Sequence, residues 1–171
     1  MSLAYPTAFR AFLDNPAQGA IHGKHTAFCK GLALHVDPDL QMAGNWRSPS
    51  GRLLELVLRP AASGAWTGLH LTLDLPDLAG LRFLGLAARA VAPDEVLIRA
   101  CLRSGLPGGG FLDHFLPRHW LAHDEAATHH DLIHLPSQNA LPVQAPWREL
   151  VLFLPCRAVE LHLHDLAILT A

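Results

Sequence analysis

Twelve histidines in 171 residues are the groups best able to do chemistry, and six of them, His114, His119, His123, His129, His130 and His134, crowd into one stretch. Imidazole binds divalent metals and changes charge near neutral pH. In helical register His119, His123, His130 and His134 form one stripe, and both H-x-x-x-H pairs have the spacing at which two rings reach one zinc ion. The second pair, HDLIH at 130–134, has Asp131 where zinc hydrolases carry a glutamate base. An aspartate is one methylene shorter and stands back from the metal-bound water it should deprotonate. The first pair has no acid there, and no third ligand is identifiable. In strand register the same stretch places His129 and Asp131 with Ile133 on one face, opposite His130, Leu132 and His134, and Pro136 closes it. The strand fits the neighbouring chain better, which removes the helical zinc site.

His162 and His164 are a second metal candidate. Two strand residues at i and i+2 stand about 6.6 Å apart on one face, close enough to converge on an ion, and such H-x-H pairs occur in cupin barrels. Cupins follow the pair with a glutamate and a glycine at set spacings, whereas here the sequence runs DLAILTA. A cupin-like, metal-dependent enzyme on these two histidines is therefore an alternative, and no other cofactor is implied. The Asp-His neighbours at 113–114, 123–124, 130–131 and 164–165 would point to opposite faces of a strand, which argues against direct pairing. No G-x-S-x-G elbow is present, no cysteine has an activating context, and Gly108 to Gly110 lacks the lysine of a phosphate loop. That glycine run suits a tight bend.

Sugar binding on a sheet needs an aromatic face to stack on the ring and charged forks for its hydroxyls. Trp46 and Trp120, in loop-like contexts, are the candidate platforms, and Arg99, Arg103 and Asp113 the candidate polar contacts. Trp66 and Trp147, at strand starts, read as packing residues.

These side chains need elements to position them. Residues 69–75 alternate leucine with His70, Thr72 and Asp74, the period of a strand with one buried face. Ile98, Ala100 and Leu102 alternate with Arg99, Cys101 and Arg103, and Val159, Leu161 and Leu163 alternate with Glu160, His162 and His164. Further strands are expected near 26–36, 53–59, 82–91 and 148–154. A turn at 92–95 suggests that 82–91 and the arginine strand form a hairpin. Residues 7–13 have helical spacing of Phe9, Phe12 and Leu13 ended by Asn15-Pro16, a short helix within an N-terminal docking segment at 1–24.

Eight or nine strands divided by Gly, Pro, Asn and Asp predict one all-β domain over 1–171, an antiparallel two-sheet sandwich with jelly-roll topology. The succession LRSG at 102–105, GFLD at 110–113, ELVLFLP at 149–155 and ELHLHDLAI at 160–168 resembles the C-terminal two-thirds of galactose-binding-like sandwiches, which include many carbohydrate-binding modules. That resemblance implies a non-catalytic binding or accessory domain, with a carbohydrate or related polyol as ligand.

Composition narrows the partners. Half the residues are hydrophobic and 16% charged, which suits a folded core. Net charge is −2, from 13 basic and 15 acidic residues without blocks, so neither nucleic acid nor an anionic membrane is expected as partner. No run approaches the ~18 apolar residues of a membrane span, and the N-terminus lacks a signal-peptide pattern. A soluble, cytoplasmic protein is expected, with a homo-oligomeric interaction domain as a further alternative. The three cysteines, Cys29, Cys101 and Cys156, lie apart in apolar runs and are expected to be buried free thiols.

Overall fold

The computed structural model describes residues 2–4 and 12–171. Thirteen strands run β1 Ser2–Ala4, β2 Ala17–His22, β3 His25–Cys29, β4 Leu32–Val36, β5 Met42–Ser48, β6 Leu54–Pro60, β7 Thr67–Leu73, β8 Phe83–Val91, β9 Val96–Gly105, β10 Phe111–Ala122, β11 Ala127–His134, β12 Arg148–Leu154 and β13 Val159–Thr170. Two antiparallel sheets result. Sheet A has the order β11-β8-β13-β6-β5-β2, with β1 beside the end of β13, and sheet B has the order β10-β9-β12-β7-β4-β3. This is a jelly-roll sandwich.

The alternating leucines explain the layering. Leu69, Leu71 and Leu73 of β7, Leu150, Leu152 and Leu154 of β12, and Ile98, Ala100 and Leu102 of β9 face Leu54, Leu56 and Leu58 of β6 and Leu161 and Leu163 of β13 in one buried cluster. Full burial of each leucine contributes roughly 1.5–3 kcal/mol. Burial outweighs leucine's modest strand preference. At one end of this interior lies Arg148, fully buried. Its Nε donates to Leu75 O at 2.9 Å, Nη2 to Pro142 O at 2.6 Å and Val143 O at 2.9 Å, and Nη1 to Ser104 Oγ at 2.5 Å.

The segment HHDLIHLP is strand β11 followed by a one-turn 3-10 helix at Leu135–Ser137. His129, Asp131 and Ile133 face inward as expected, and His130, Leu132 and His134 are exposed. Asp131 is more than a polar strand residue. It is buried, and its Oδ2 accepts from Arg118 N at 2.8 Å, beside the register shift between Phe115 and His119 where β10 is irregular.

Three expectations change. Strands β8 and β9 do not form a hairpin: β8 pairs with β11 and β13, and β9 with β10 and β12. The turn between them is a crossover from one sheet to the other, held where the buried Ala92 donates to His123 O at 2.7 Å. Residues 17–22, assigned to a docking segment, form β2 and pair along β5. Of the expected N-terminal helix, residues 12–14 are helical and the rest lies outside the described residues. Among the cysteines Cys101 is buried, while Cys29 and Cys156 are half-buried; all three are free.

Candidate functional site

Residues on the outer face of sheet B fall into cross-strand rows fixed by register. One row runs Asp113, Arg103, Glu149, Thr72; the next Phe115, Cys101, Val151, His70, Ala33; the third His119, Arg99, Phe153, Gly68, His35, His25. Cys101, Val151 and His70 point away from the interior yet are buried. They form a floor beneath larger neighbours.

Those neighbours pair rings with guanidinium groups. Arg103 binds Asp113 through two parallel bonds, Nε to Oδ1 and Nη2 to Oδ2, each 2.7 Å, the fork geometry that gives arginine its grip on carboxylates. The same guanidinium lies 3.9 Å from the centroid of the Phe111 ring, and that of Arg99 lies 4.2 Å from the Phe115 ring. Phe115 and Phe153 are 5.7 Å apart. At the end of the face the indole of Trp147 covers Gly105, in the space that a Cβ would occupy. Phe111 and Trp147 are 51% and 41% exposed, so this end presents aromatic surface to solvent.

The opposite end is imidazole-rich. His25 and His35 pair across β3 and β4 with rings 4.6 Å apart, and His35 lies 4.4 Å from His70. His70 Nδ1 meets Glu149 Oε2 at 2.8 Å, while its Nε2 is buried without a hydrogen-bond partner. The carboxylate oxygen can only accept, so Nδ1 is the donor of this bond. This bond holds the Glu149 carboxyl below the usual range. Burial, with the neighbouring His70 and His25 charges, lowers the His35 pKa. Burial first, then the Asp113 charge, pushes the Cys101 thiol up to about 12, so it is no nucleophile at neutral pH.

The structure gathers three of the five sugar-site candidates, Arg99, Arg103 and Asp113, on this face. Trp46 and Trp120 do not join them, and neither stands in a loop. Trp46 is on β5 of the other sheet, turned inward against Phe12 and Phe28, with ring separations of 5.8 and 5.0 Å. Trp120 is on β10 but faces the core, 4% exposed, stacked on His129 at 5.5 Å. Inward rings cannot stack on a soluble ligand. Conversely Trp147, read as packing, is an exposed ring of the site, and Phe111, Phe115, Phe153, His70 and Glu149 were not singled out as ligand contacts. The alternation of Glu149, Val151 and Phe153 with buried leucines was the available signal.

His162 and His164 lie on the outer face of sheet A. His162 Nε2 approaches Glu160 Oε1 at 3.1 Å and pairs across β6 with Glu55. Glu55 is already held by Arg47 Nε and by Arg52 Nη1, the latter at 2.7 Å. Burial raises its pKa, but these hydrogen bonds outweigh it and keep the carboxyl low. Burial and the Arg52 and Arg89 charges lower the His164 pKa. The expected metal pair thus sits among guanidinium groups that repel a cation. Among the described residues, no three His, Cys, Asp or Glu groups are grouped to hold a metal ion.

No protein-family model and no curated protein sequence matches the chain. Among solved structures it is similar to the CBM22-1 xylan-binding domain from Paenibacillus barcinonensis Xyn10C, with 11% identity, TM-score 0.52 and coverage of 88% of this chain and 92% of that one. A family 11 carbohydrate-binding module of the Clostridium thermocellum cellulase Lic26A-Cel5E is 9% identical, with TM-score 0.48 and coverage of 92% and 88%. At such identities the likeness concerns the fold, and the chain has the β-sandwich fold of carbohydrate-binding modules.

Proposed function

We propose that this chain is a non-catalytic carbohydrate-binding domain that holds its ligand on the outer face of sheet B. The observation that carries the reading is the pairing of aromatic rings with guanidinium forks on one sheet face, where the exposed Phe111, Phe115 and Trp147 and the half-buried Phe153 share the face of Arg99 and Arg103. Rings offer stacking surface to the apolar face of a pyranose, and forks offer donors to its hydroxyls. The fold shared with a xylan-binding domain supports this reading. Asp113 is bound by Arg103 and Glu149 by His70, and the latter bond holds the Glu149 carboxyl low. A glycosidase acid needs its carboxyl raised and protonated.

Affinity electrophoresis through soluble xylan, mixed-linked β-glucan and polygalacturonate tests the proposal. At least one polymer is expected to retard the protein, and Phe153→Ala is expected to weaken that binding about tenfold, the equivalent of a lost ring contact of about 1.4 kcal/mol. Migration unaffected by every polymer, or a Phe153→Ala protein that binds like the parent, overturns it.

A second reading rests on Leu97 and Leu121, 48% and 46% exposed and adjacent across β9 and β10. Apolar exposure of this kind on an edge strand suits self-association. Light scattering that gives a dimer lost on Leu121→Lys favours this second reading.

A further inference from the structure

At one end of the same face, where β9 begins and β12 ends, a cleft of about 440 Å³ is lined by Leu97, Arg99, Leu121, Phe153, Pro155 and Arg157, with Glu95 at its rim. That volume lies in the range of small-ligand sites. Its walls are apolar, and its fixed charges are two guanidinium groups against one exposed carboxylate. Arg47, Arg52 and Arg103 each have a carboxylate partner, whereas among the described residues no ion pair joins Arg99 or Arg157 to an acid. Arg99 is steadied by the Phe115 ring, and Arg157 by the carbonyl oxygens of Ala158, at 3.1 Å, and Glu95. Both guanidinium groups are thus oriented while their charge is left unmatched.

We propose that this cleft takes a uronate residue of an acidic polysaccharide, its ring against Phe153 and Leu121 and its carboxylate on Arg99 and Arg157. The proposal rests on the carbohydrate-binding reading and adds the class of sugar. A planar carboxylate matches a guanidinium fork in two parallel hydrogen bonds, a match that a neutral hydroxymethyl group does not offer. The apolar walls favour a sugar acid over an inorganic anion.

Titration calorimetry with oligogalacturonate, neutral galacto-oligosaccharide and poly-glutamate at matched chain length separates the possibilities. The uronate oligomer is expected to bind at least tenfold more tightly than the neutral one, and poly-glutamate, which has the charge without the ring, at least tenfold more weakly than the uronate. Arg99→Gln with Arg157→Gln is expected to abolish the preference, and Glu95→Gln to strengthen uronate binding a few-fold. Unchanged thermal melting shows that each variant is folded. Equal affinity for uronate and neutral oligomers, a preference that survives the arginine changes, or poly-glutamate binding as tightly as the uronate overturns the proposal. If neutral sugars bind without an acidic preference, the cleft assignment fails alone. If no saccharide binds, it fails together with the wider reading.

Discussion

Replacing Arg148 by methionine keeps most of the side-chain volume and removes every donor from the buried end of the sandwich. Three acceptors lose their partner, Leu75 O, Ser104 Oγ and Pro142 O, while Val143 O keeps the Leu78 N–H at 2.9 Å. Pro142 is half-buried, so its carbonyl recovers a hydrogen bond from water. Ser104 is fully buried, so its hydroxyl stays dry at roughly 1–3 kcal/mol, whereas Leu75 is half-buried like Pro142. Against this stands relief of a buried charge, whose desolvation lowers the Arg148 pKa and whose cost can approach the gain from its bonds. The net expectation is a loss of about 1–3 kcal/mol, or a fall in Tm of roughly 3–10 °C at this chain length. Urea unfolding followed by tryptophan fluorescence measures it, with Arg148→Ala lower still because a cavity is added. A methionine variant within about 0.5 kcal/mol of the parent refutes the claim that these bonds stabilise the fold. In that event the arginine serves only to fix the chain at 142–147, and a loosened Trp147 remains as its trace.

Burial comes first among the causes that hold His35, His114, His129 and His164 below the ordinary histidine pKa. A depressed folded pKa means that the unfolded chain takes up protons first as pH falls through about 6.5, so Tm is expected to drop between pH 7.5 and 5.5; a flat or rising Tm contradicts this sign. Gly85 pairs with Leu132, and a Cβ there would stand 1.9 Å from Asp131 O. Gly85→Ala is expected to cost about 3 kcal/mol or more by forcing β8 and β11 apart, read from the urea midpoint, and parent-like stability would show that the edge strand moves freely. Native protein at pH 8 is expected to leave Cys101 unmodified by iodoacetamide, given a thiol pushed up to about 12, while peptide mapping after denaturation shows it alkylated; rapid native labelling of Cys101 counts against its burial.

The parts of the fold that were legible are those in which alternation meets one buried face. Strands β7, β9, β11 and β13 appear in the sequence because polar residues separate their leucines, and the face assignments within them hold. Pairing was less legible, because alternation says which face a strand buries but not which strand lies beside it. The turn at 92–95 has the composition of a hairpin, yet it carries the chain between sheets. Strands β2 and β5 were missed because AQGAIH and MAGNWRS are rich in small and polar residues; β10 was not assigned either, and the one strand expected near 26–36 is two, β3 and β4. The arginines and Asp113 of the site were legible as an outer stripe opposite a buried one. Its aromatic rings were not, because a tryptophan's neighbours in sequence do not say which side of a sheet it takes: Trp120 turns inward and Trp147 outward, each beside a β-strand boundary or irregularity.

The two outer faces of the sandwich differ in what their charges leave uncommitted. On sheet A, Glu55 is enclosed by Arg47 and Arg52, and the central positions Gly85, Ala87 and Ala167 are small, so the projecting groups of that face, His130, Leu132 and His134, stand on its edge strand β11. On sheet B the carboxylates are committed, Asp113 to Arg103 and Glu149 to His70, and the rings are not. Arg103 is held between a carboxylate and an aromatic ring and has lost its rotamer freedom before any ligand arrives, which lowers the entropy cost of binding. The shape of the aromatic end depends on glycine as much as on the rings: a Cβ at Gly105 would stand 2.4 Å from the Trp147 indole nitrogen. Only a residue without a side chain lets that indole lie down on the sheet. A face built in this way presents flat apolar surface, oriented forks and two guanidinium groups without a carboxylate partner in one strip, carried mostly on strands, with Trp147 and Arg157 in the segments that flank β12. Rigid strands hold such groups in fixed register, which suits recognition of an extended chain with repeating rings better than it suits a small, compact ligand.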